Sequence, residues 1–189
     1  MFKPFAERNN ERMQNVLIDQ NISGPDVFYY MVRGGIEKTN ITILECGFAG
    51  NEYIKTYGHY HVGNISETYS ILQGTGVVIL QKRKVDTEGK PIDNEIVFFK
   101  AISVKAGDKI FIEPDMGHLL INTGEKWLVT SDDSPVYTND INPVSMPGHA
   151  DYEPIKKMGG FAYFLIEKNN TPVLIKNPKY INTPEAHIE

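Results

Sequence analysis

Three histidines and a carboxylate are the residues of this chain whose types and spacing could do chemistry: His59 and His61 on either side of Tyr60, then Glu67, and far downstream His118. Imidazole nitrogens with one carboxylate oxygen form a donor set that holds a divalent cation and leaves coordination positions open for catalysis. Strand geometry explains the first pair. Side chains alternate with period two, so His59 and His61 leave one face ~7 Å apart along the backbone while Tyr60 points away. Gly63 and Asn64 suit a turn, and Glu67 then opens a returning strand, Glu67 to Gln73, of a hairpin. His118 must arrive from a remote strand, within a block of Gly107, Pro114, Gly117-His118 and Asn122. Gly107 turns the chain into a strand, Pro114 ends it, Gly117 permits a tight return, and His118 opens the next strand facing inward. A lone histidine is more often structural or solvated than a ligand, and the bland alternative is a sheet whose histidines decorate its mouth. Four donors together favour one cation, and iron, manganese, nickel, cobalt and zinc all suit them.

Such donors need strands to carry them, and strand signals recur along most of the chain. They cover Val27 to Val32, Asn40 to Gly47, Glu52 to Val62, Glu67 to Leu72, Val77 to Lys82 and Glu95 to Ala101. Further signals span Asp108 to Ile112, His118 to Asn122, Lys126 to Thr130, Phe161 to Glu167 and Pro172 to Lys176. Breaks such as Gly34-Gly35, Gly50-Asn51, Glu88-Gly89-Lys90-Pro91 and Gly124-Glu125 separate them. One helix is expected, over Phe5 to Gln20, from good helix formers with Met13, Val16 and Leu17 as a modest apolar stripe. Many short strands with one N-terminal helical segment predict an all-β sandwich or barrel. No repeat of fixed period is present. The longest stretch without a pattern, Ser131 to Pro154, is rich in Asp, Ser, Pro and Asn, and loops of that length are usually functional or mobile.

Bulk properties narrow the partners. At 189 residues and 41% hydrophobic, the chain can bury the core of one folded domain. A net charge of −5 with no basic run excludes an electrostatic footprint for nucleic acid. An anionic ligand then needs a locally positive pocket, which a metal and inward backbone N–H groups would supply. Cys46 is the one cysteine, so neither an internal disulfide nor zinc-finger spacing is available. The opening residues lack the apolar run of a secretion signal, and no 18 apolar residues run together. No membrane span is expected, and a cytoplasmic location is.

The two blocks resemble the cupin superfamily. His59-X-His61, Glu67 and Gly74 match its first motif, and Gly107, Pro114, Gly117-His118 and Asn122 match its second. Two features depart from it: no glycine precedes His59 at the usual distance, and the gap from His61 to Glu67 is longer than in typical cupins. The neighbouring residues are similar to the cupin-type phosphoglucose isomerases first known from archaea. That resemblance runs from about Val27 to Tyr180. It is densest in Thr56-Tyr57-Gly58-His59-Tyr60-His61, Glu67-Thr68-Tyr69, Leu72-Gln73-Gly74-Thr75-Gly76, Val104 to Asn122, Pro147-Gly148-His149-Ala150-Asp151-Tyr152 and Lys176-Asn177-Pro178-Lys179-Tyr180.

The resemblance implies a single cupin domain over 1–189, a jelly-roll β-barrel of 26–180 behind an N-terminal arm of 1–25. It implies a metal-dependent isomerase interconverting glucose 6-phosphate and fructose 6-phosphate, an activity of glycolysis and gluconeogenesis, in a homodimer. His59, His61, Glu67 and His118 would hold one divalent ion per subunit, iron(II) first among the candidates. Thr42, Thr56 and Gly58 would hold the phosphate, Tyr69 the sugar, and His149 and Tyr152 a loop closing over it. Glu67 would be the base, with Tyr69 or Tyr152 assisting at the oxygens and His149 at ring opening; a metal-assisted hydride shift, which needs no base, is the alternative. Read by themselves, Thr42 and Thr56 are ordinary strand threonines, Tyr69 and Tyr152 are core or rim aromatics, and His149 is a solvated loop residue. The chain departs from the archaeal pattern at Leu119, where an arginine is usual, and at Ser134, where a tyrosine is. The gap from His61 to Glu67 is one residue shorter, and an insertion follows Ser134-Pro135 to about Met146. Two other classes stay open: another metal-dependent cupin enzyme, such as an oxygenase, and a non-enzymatic sugar-binding cupin.

Overall fold

A computed structural model describes residues 6–33, 40–135 and 148–189. The expected Gly34-Gly35 break and most of the expected insertion after Pro135 lie outside the described residues. Fifteen strands are present among those described. In chain order they are β1 (Ala6–Asn9), β2 (Val27–Val32), β3 (Asn40–Leu44), β4 (Phe48–Ala49), β5 (Glu52–Tyr53), β6 (Tyr60–His61), β7 (Glu67–Gln73) and β8 (Thr75–Val85). β9 (Pro91–Lys105), β10 (Lys109–Ile112), β11 (Met116–Asn122), β12 (Leu128–Asp132), β13 (Ala150–Asp151), β14 (Tyr163–Lys168) and β15 (Thr171–Lys176) follow. The helices α1 (Asn10–Met13) and α2 (Glu153–Met158) are short. The expected all-β architecture holds, and its sheets are consistent with a jelly roll, though no closed barrel forms among the described residues.

One sheet carries six strands in the order β1-β2-β3-β12-β7-β10. A second has the order β11-β8-β9, a third β15-β14-β5-β4, and β13 pairs with β6. The long hairpin of β8 and β9 turns at Glu88-Gly89-Lys90, where Asp86 accepts from the Glu88 and Lys90 backbone N–H groups. All seven residues of β11 are buried, so this strand is packed on both faces. His118 and Leu120 lie opposite Leu80 and Val78 in register. Asn122, the last residue of the second motif, ties elements together: its amide donates to the carbonyls of Leu44, Glu45 and Lys126.

The N-terminal segment corrects the sequence expectation. Phe5 to Gln20 is not one helix. Ala6–Asn9 pairs antiparallel with β2 and extends the six-stranded sheet, α1 is a single turn, and Gln14–Val16 is a 3-10 turn. Asn9, extended at φ −85° and ψ 170°, accepts from Arg12 N and starts the turn. Strand pairing at the sheet edge satisfies the backbone groups of 6–9 that a helix would otherwise satisfy. The apolar stripe was sound, since Met13, Val16 and Leu17 are all buried. Lys55 anchors this segment: its ammonium donates to Val16 O at 2.6 Å and pairs with buried Glu52, which accepts from Ile18 N at 2.9 Å.

The stretch from Ser131 to Pro154 also holds more structure than its composition suggests. Ser131 and Asp132 complete β12, β13 pairs with the histidine strand β6, and α2 begins at Glu153. Two residues and six residues are too short to leave a period in sequence.

Candidate metal centre and adjoining cavity

β6 and its approach place the first histidines. His59 makes an isolated antiparallel bridge with His118, its N–H donating to His118 O and its O accepting from His118 N. His61 follows two residues on, and Tyr60 turns the other way, where Gln81 donates to its hydroxyl at 2.8 Å. Glu67 opens β7 opposite Ile112, buried. Sequence spacing anticipated this convergence, and the structure brings all four donors together. The ligand atoms of His59, His61 and His118 lie within 4.8 Å of one another. Glu67 Oε1 is 2.7 Å from His118 Nε2, and its Oε2 is 3.3 Å from His61 Nε2.

The hydrogen bonds behind the rings aim these donors. His61 Nδ1 lies 2.7 Å from Gly148 O and His118 Nδ1 lies 3.3 Å from Met116 O. A carbonyl only accepts, so each Nδ1 carries the proton and each Nε2 presents a lone pair to the centre. His61 Nε2, His118 Nε2 and Glu67 Oε1 are buried without a well-aligned hydrogen-bond partner, despite the short approaches between them. Buried polar atoms left that way are costly, and a shared cation is the partner this donor set fits. The three histidines therefore form a cluster that fits a divalent metal, with a carboxylate at its edge.

Electrostatics agree with that role. Burial, reinforced by His118 and His61, holds the His59 pKa well below 6.5. The ring opens partly to the cavity, but protein surrounds it and hydrates its charged form poorly. Burial also opposes charge on His61, yet Glu67 and the Gly148 carbonyl outweigh it and raise that pKa. Burial likewise works against the Glu67 carboxylate, but His118 and His61 overcome this and keep its pKa well below 4.5. Tyr69 is pushed well above 10 by burial, then by Glu67 and Asp132, and stays a hydroxyl donor.

The centre lies at a cavity of about 350 Å³, within the range of small-molecule sites. Thr42, Thr56, Gly58, Tyr69, His149 and Tyr152 all line it, so every residue expected to touch substrate does face one space. Thr42 stands between Met31 and Thr130 across three strands. The Thr56 hydroxyl accepts from Leu120 N at 3.0 Å and keeps its own proton to donate. Gly58 adopts φ +75°, and a Cβ there would meet Phe161 at 2.3 Å. The loop carrying His149 and Tyr152 is stitched to β6 by backbone bonds from Val62 N to His149 O and from Gly148 N to Val62 O. Tyr152 then packs edge-on against Tyr57 and tilted over His59, each ring 5.4 Å away.

Among the lining residues that sequence reasoning missed are Arg8, Tyr29, Arg33 and Asp132. Period-two alternation places Tyr29 and Met31 on one face of β2, with Arg33 next beyond its end, but only the sheet register shows that this face meets Thr42. Asp132 is buried and fixed by Asn40, whose amide donates at 2.7 Å. Arg8 lay inside the expected helix, where no signal marked it.

Residues 31–182 match the family model described as glucose-6-phosphate isomerase (GPI). The chain belongs to that family. A curated relative, the glucose-6-phosphate isomerase of Thermococcus litoralis, is 31% identical over 140 residues, 74% of this chain. The chain spans 62% of that relative's length. Among solved structures it is similar to a predicted oxalate decarboxylase from Thermotoga maritima, at 20% identity and a TM-score of 0.39, covering 67% of this chain and 87% of that one. It is also similar to the Drosophila melanogaster CENP-C cupin domain, at 10% identity and a TM-score of 0.40, covering 62% and 79%. The GPI match includes all four donors and the cavity loop, and it begins after β1 and most of β2.

Proposed function

We propose that this protein is a metal-dependent aldose–ketose isomerase that interconverts glucose 6-phosphate and fructose 6-phosphate. One observation carries the reading: His59, His61, His118 and Glu67 converge at a cavity whose wall also holds Thr42, Thr56 and Gly58, in a chain of the GPI family. The four donors would hold one divalent cation, iron(II) in the native protein. Bound there, that ion would supply Lewis-acid stabilisation of negative charge on the sugar oxygens.

The side chains do the rest. Thr42 and Thr56 hydroxyls and the Gly58 N–H hold the phosphate, and the absent Cβ leaves room for Phe161 and Leu119 behind that turn. Glu67, kept ionised by its histidine neighbours, takes the proton from one of C1 and C2 and returns it to the other. Tyr69, kept protonated by its burial and its acidic neighbours, donates to a substrate oxygen, as does Tyr152. His149, at the cavity wall, assists ring opening.

The reading includes a single cupin domain over the chain, a cytoplasmic location and a homodimer. Leu72 and Phe111 are exposed on the outer face of β7 and β10 and supply apolar surface for a second copy. No described helix is long and apolar enough to cross a membrane. A coupled assay of glucose 6-phosphate formation from fructose 6-phosphate, on chelated protein reloaded with single divalent ions, tests the activity. Turnover restored by one or more ions supports it. Absent turnover with full metal occupancy refutes it, and oxygen consumption instead would select an oxygenase.

A further inference from the structure

Arg8 is a charged cavity residue to which the proposed reaction assigns no part. It stands on β1 opposite Tyr29, outside the segment that matches the family model. Its guanidinium sits 5.4 Å from the centroid of the Tyr152 ring and beside the Tyr29 and Tyr152 hydroxyls. Tyr29 Oη in turn accepts from Tyr57 N at 3.4 Å. Arg8, the Tyr29 phenol and the Thr56–Gly58 backbone are thus neighbours on one wall of the cavity.

Charge separates Arg8 from the other cation there. Arg33 lies 3.8 Å from Asp132 Oδ2, and its guanidinium also donates to the carbonyls of Val32 and Ile41. Among the described residues no carboxylate reaches ion-pair distance of Arg8. A partly buried guanidinium faced, among the described residues, by phenols and no carboxylate is incompletely compensated, and an anion with several acceptor oxygens is the ligand that completes it. The need is reciprocal. A protein of net charge −5 repels a phosphate dianion at long range, and two hydroxyls and one N–H bring no formal charge.

We propose that Arg8 binds the phosphate group of the substrate, so that the N-terminal strand is part of the substrate site. This rests on the sugar-phosphate reading above, and the test separates the two. Arg8→Met and Arg8→Lys are compared with Arg12→Met, which removes an exposed arginine four residues on, all in metal-loaded enzyme. Loss of a charge-assisted contact predicts a KM for fructose 6-phosphate raised about 10- to 100-fold in Arg8→Met, with a much smaller change in kcat. Arg8→Lys recovers part of the loss, Arg12→Met behaves as wild type, and the salt dependence of kcat/KM flattens in Arg8→Met. An unchanged KM overturns the proposal. So does a raised KM that comes with lost metal or a lowered melting temperature, because that outcome makes Arg8 a packing partner of Tyr152. Calorimetry with inorganic phosphate gives an answer without turnover. Binding by wild type that Arg8→Met loses upholds the phosphate site even if no isomerase activity is found, and equal binding by both overturns it whatever the activity.

Discussion

Glu67 concentrates the chemistry at residue scale, because one carboxylate touches two imidazoles and faces the cavity. Replacing it with Gln keeps shape and removes the base. Glu67→Gln is expected to lower kcat by about 10²- to 10⁴-fold in the coupled assay, and full activity with bound metal would remove Glu67 from the mechanism. The imidazoles make opposite predictions for the metal-free protein. His59 has a folded pKa below 6.5, so the unfolded chain binds the extra proton and stability falls as pH drops through 6.5. His61 has a folded pKa above 6.5, so its contribution is complete below 6.5 and is lost as pH rises through the folded value. Urea unfolding of chelated protein across pH should show His59→Gln flattening the acid-side fall and His61→Gln removing the loss on the alkaline side. Indistinguishable pH profiles for the two variants would contradict this assignment.

At the scale of elements, the site depends on how closely strands approach. Gly58 turns at φ +75° into the histidine strand, against Phe161 and Leu119. Gly58→Ala combines backbone strain with a steric clash, and is expected to cost ~2 kcal/mol or more of stability. If the proposed phosphate site is right, the same change should weaken substrate binding, because the turn holds the Gly58 N–H assigned to it. Asn122 belongs to the second motif but serves the scaffold: its amide bridges the end of β3 to the approach to β12. Asn122→Ala strands up to three carbonyls and should destabilise by ~3 kcal/mol without changing the identity of the preferred metal. Denaturant midpoints measure both effects, and a midpoint for Asn122→Ala equal to wild type would count against the bridging role.

For the molecule as a whole, the cavity is assembled from parts far apart in the chain, and two ties hold them. One is the buried pair of Lys55 and Glu52, which fixes residues 16–18 and, through them, the strand carrying Arg8. Lys55→Met leaves Glu52 buried without its cation and should destabilise by ~3–5 kcal/mol. Hydrogen exchange should rise first in β1 and α1, and uniform exchange would show that the tie is global. The other would be the metal of the proposed site. Chelation should abolish activity and lower the melting temperature, and ions that restore one should restore the other, since binding to the folded state alone stabilises it. Melting temperatures insensitive to chelation would argue against a structural contribution from the centre.

The four donors were legible in the sequence because each signal is local: alternation sets His59 with His61, a turn precedes Glu67, and glycine and proline frame His118. The strand pattern of the core was legible for the same reason, and β2 from Val27 to Val32 matches it residue for residue. Arg8 was not. Helix propensity over Phe5 to Gln20 is a weak local preference, and pairing of Ala6–Asn9 with β2 overrode it. Nor could spacing show that Tyr29, Arg33 and Asp132 share a wall with Thr42, since those neighbours exist only through the register of separate strands. The residue order of this chain determined which donors a cation would meet. Which cations and hydroxyls surround the ligand was decided only by folding, because that depends on contacts between segments too distant in sequence to leave a periodic trace.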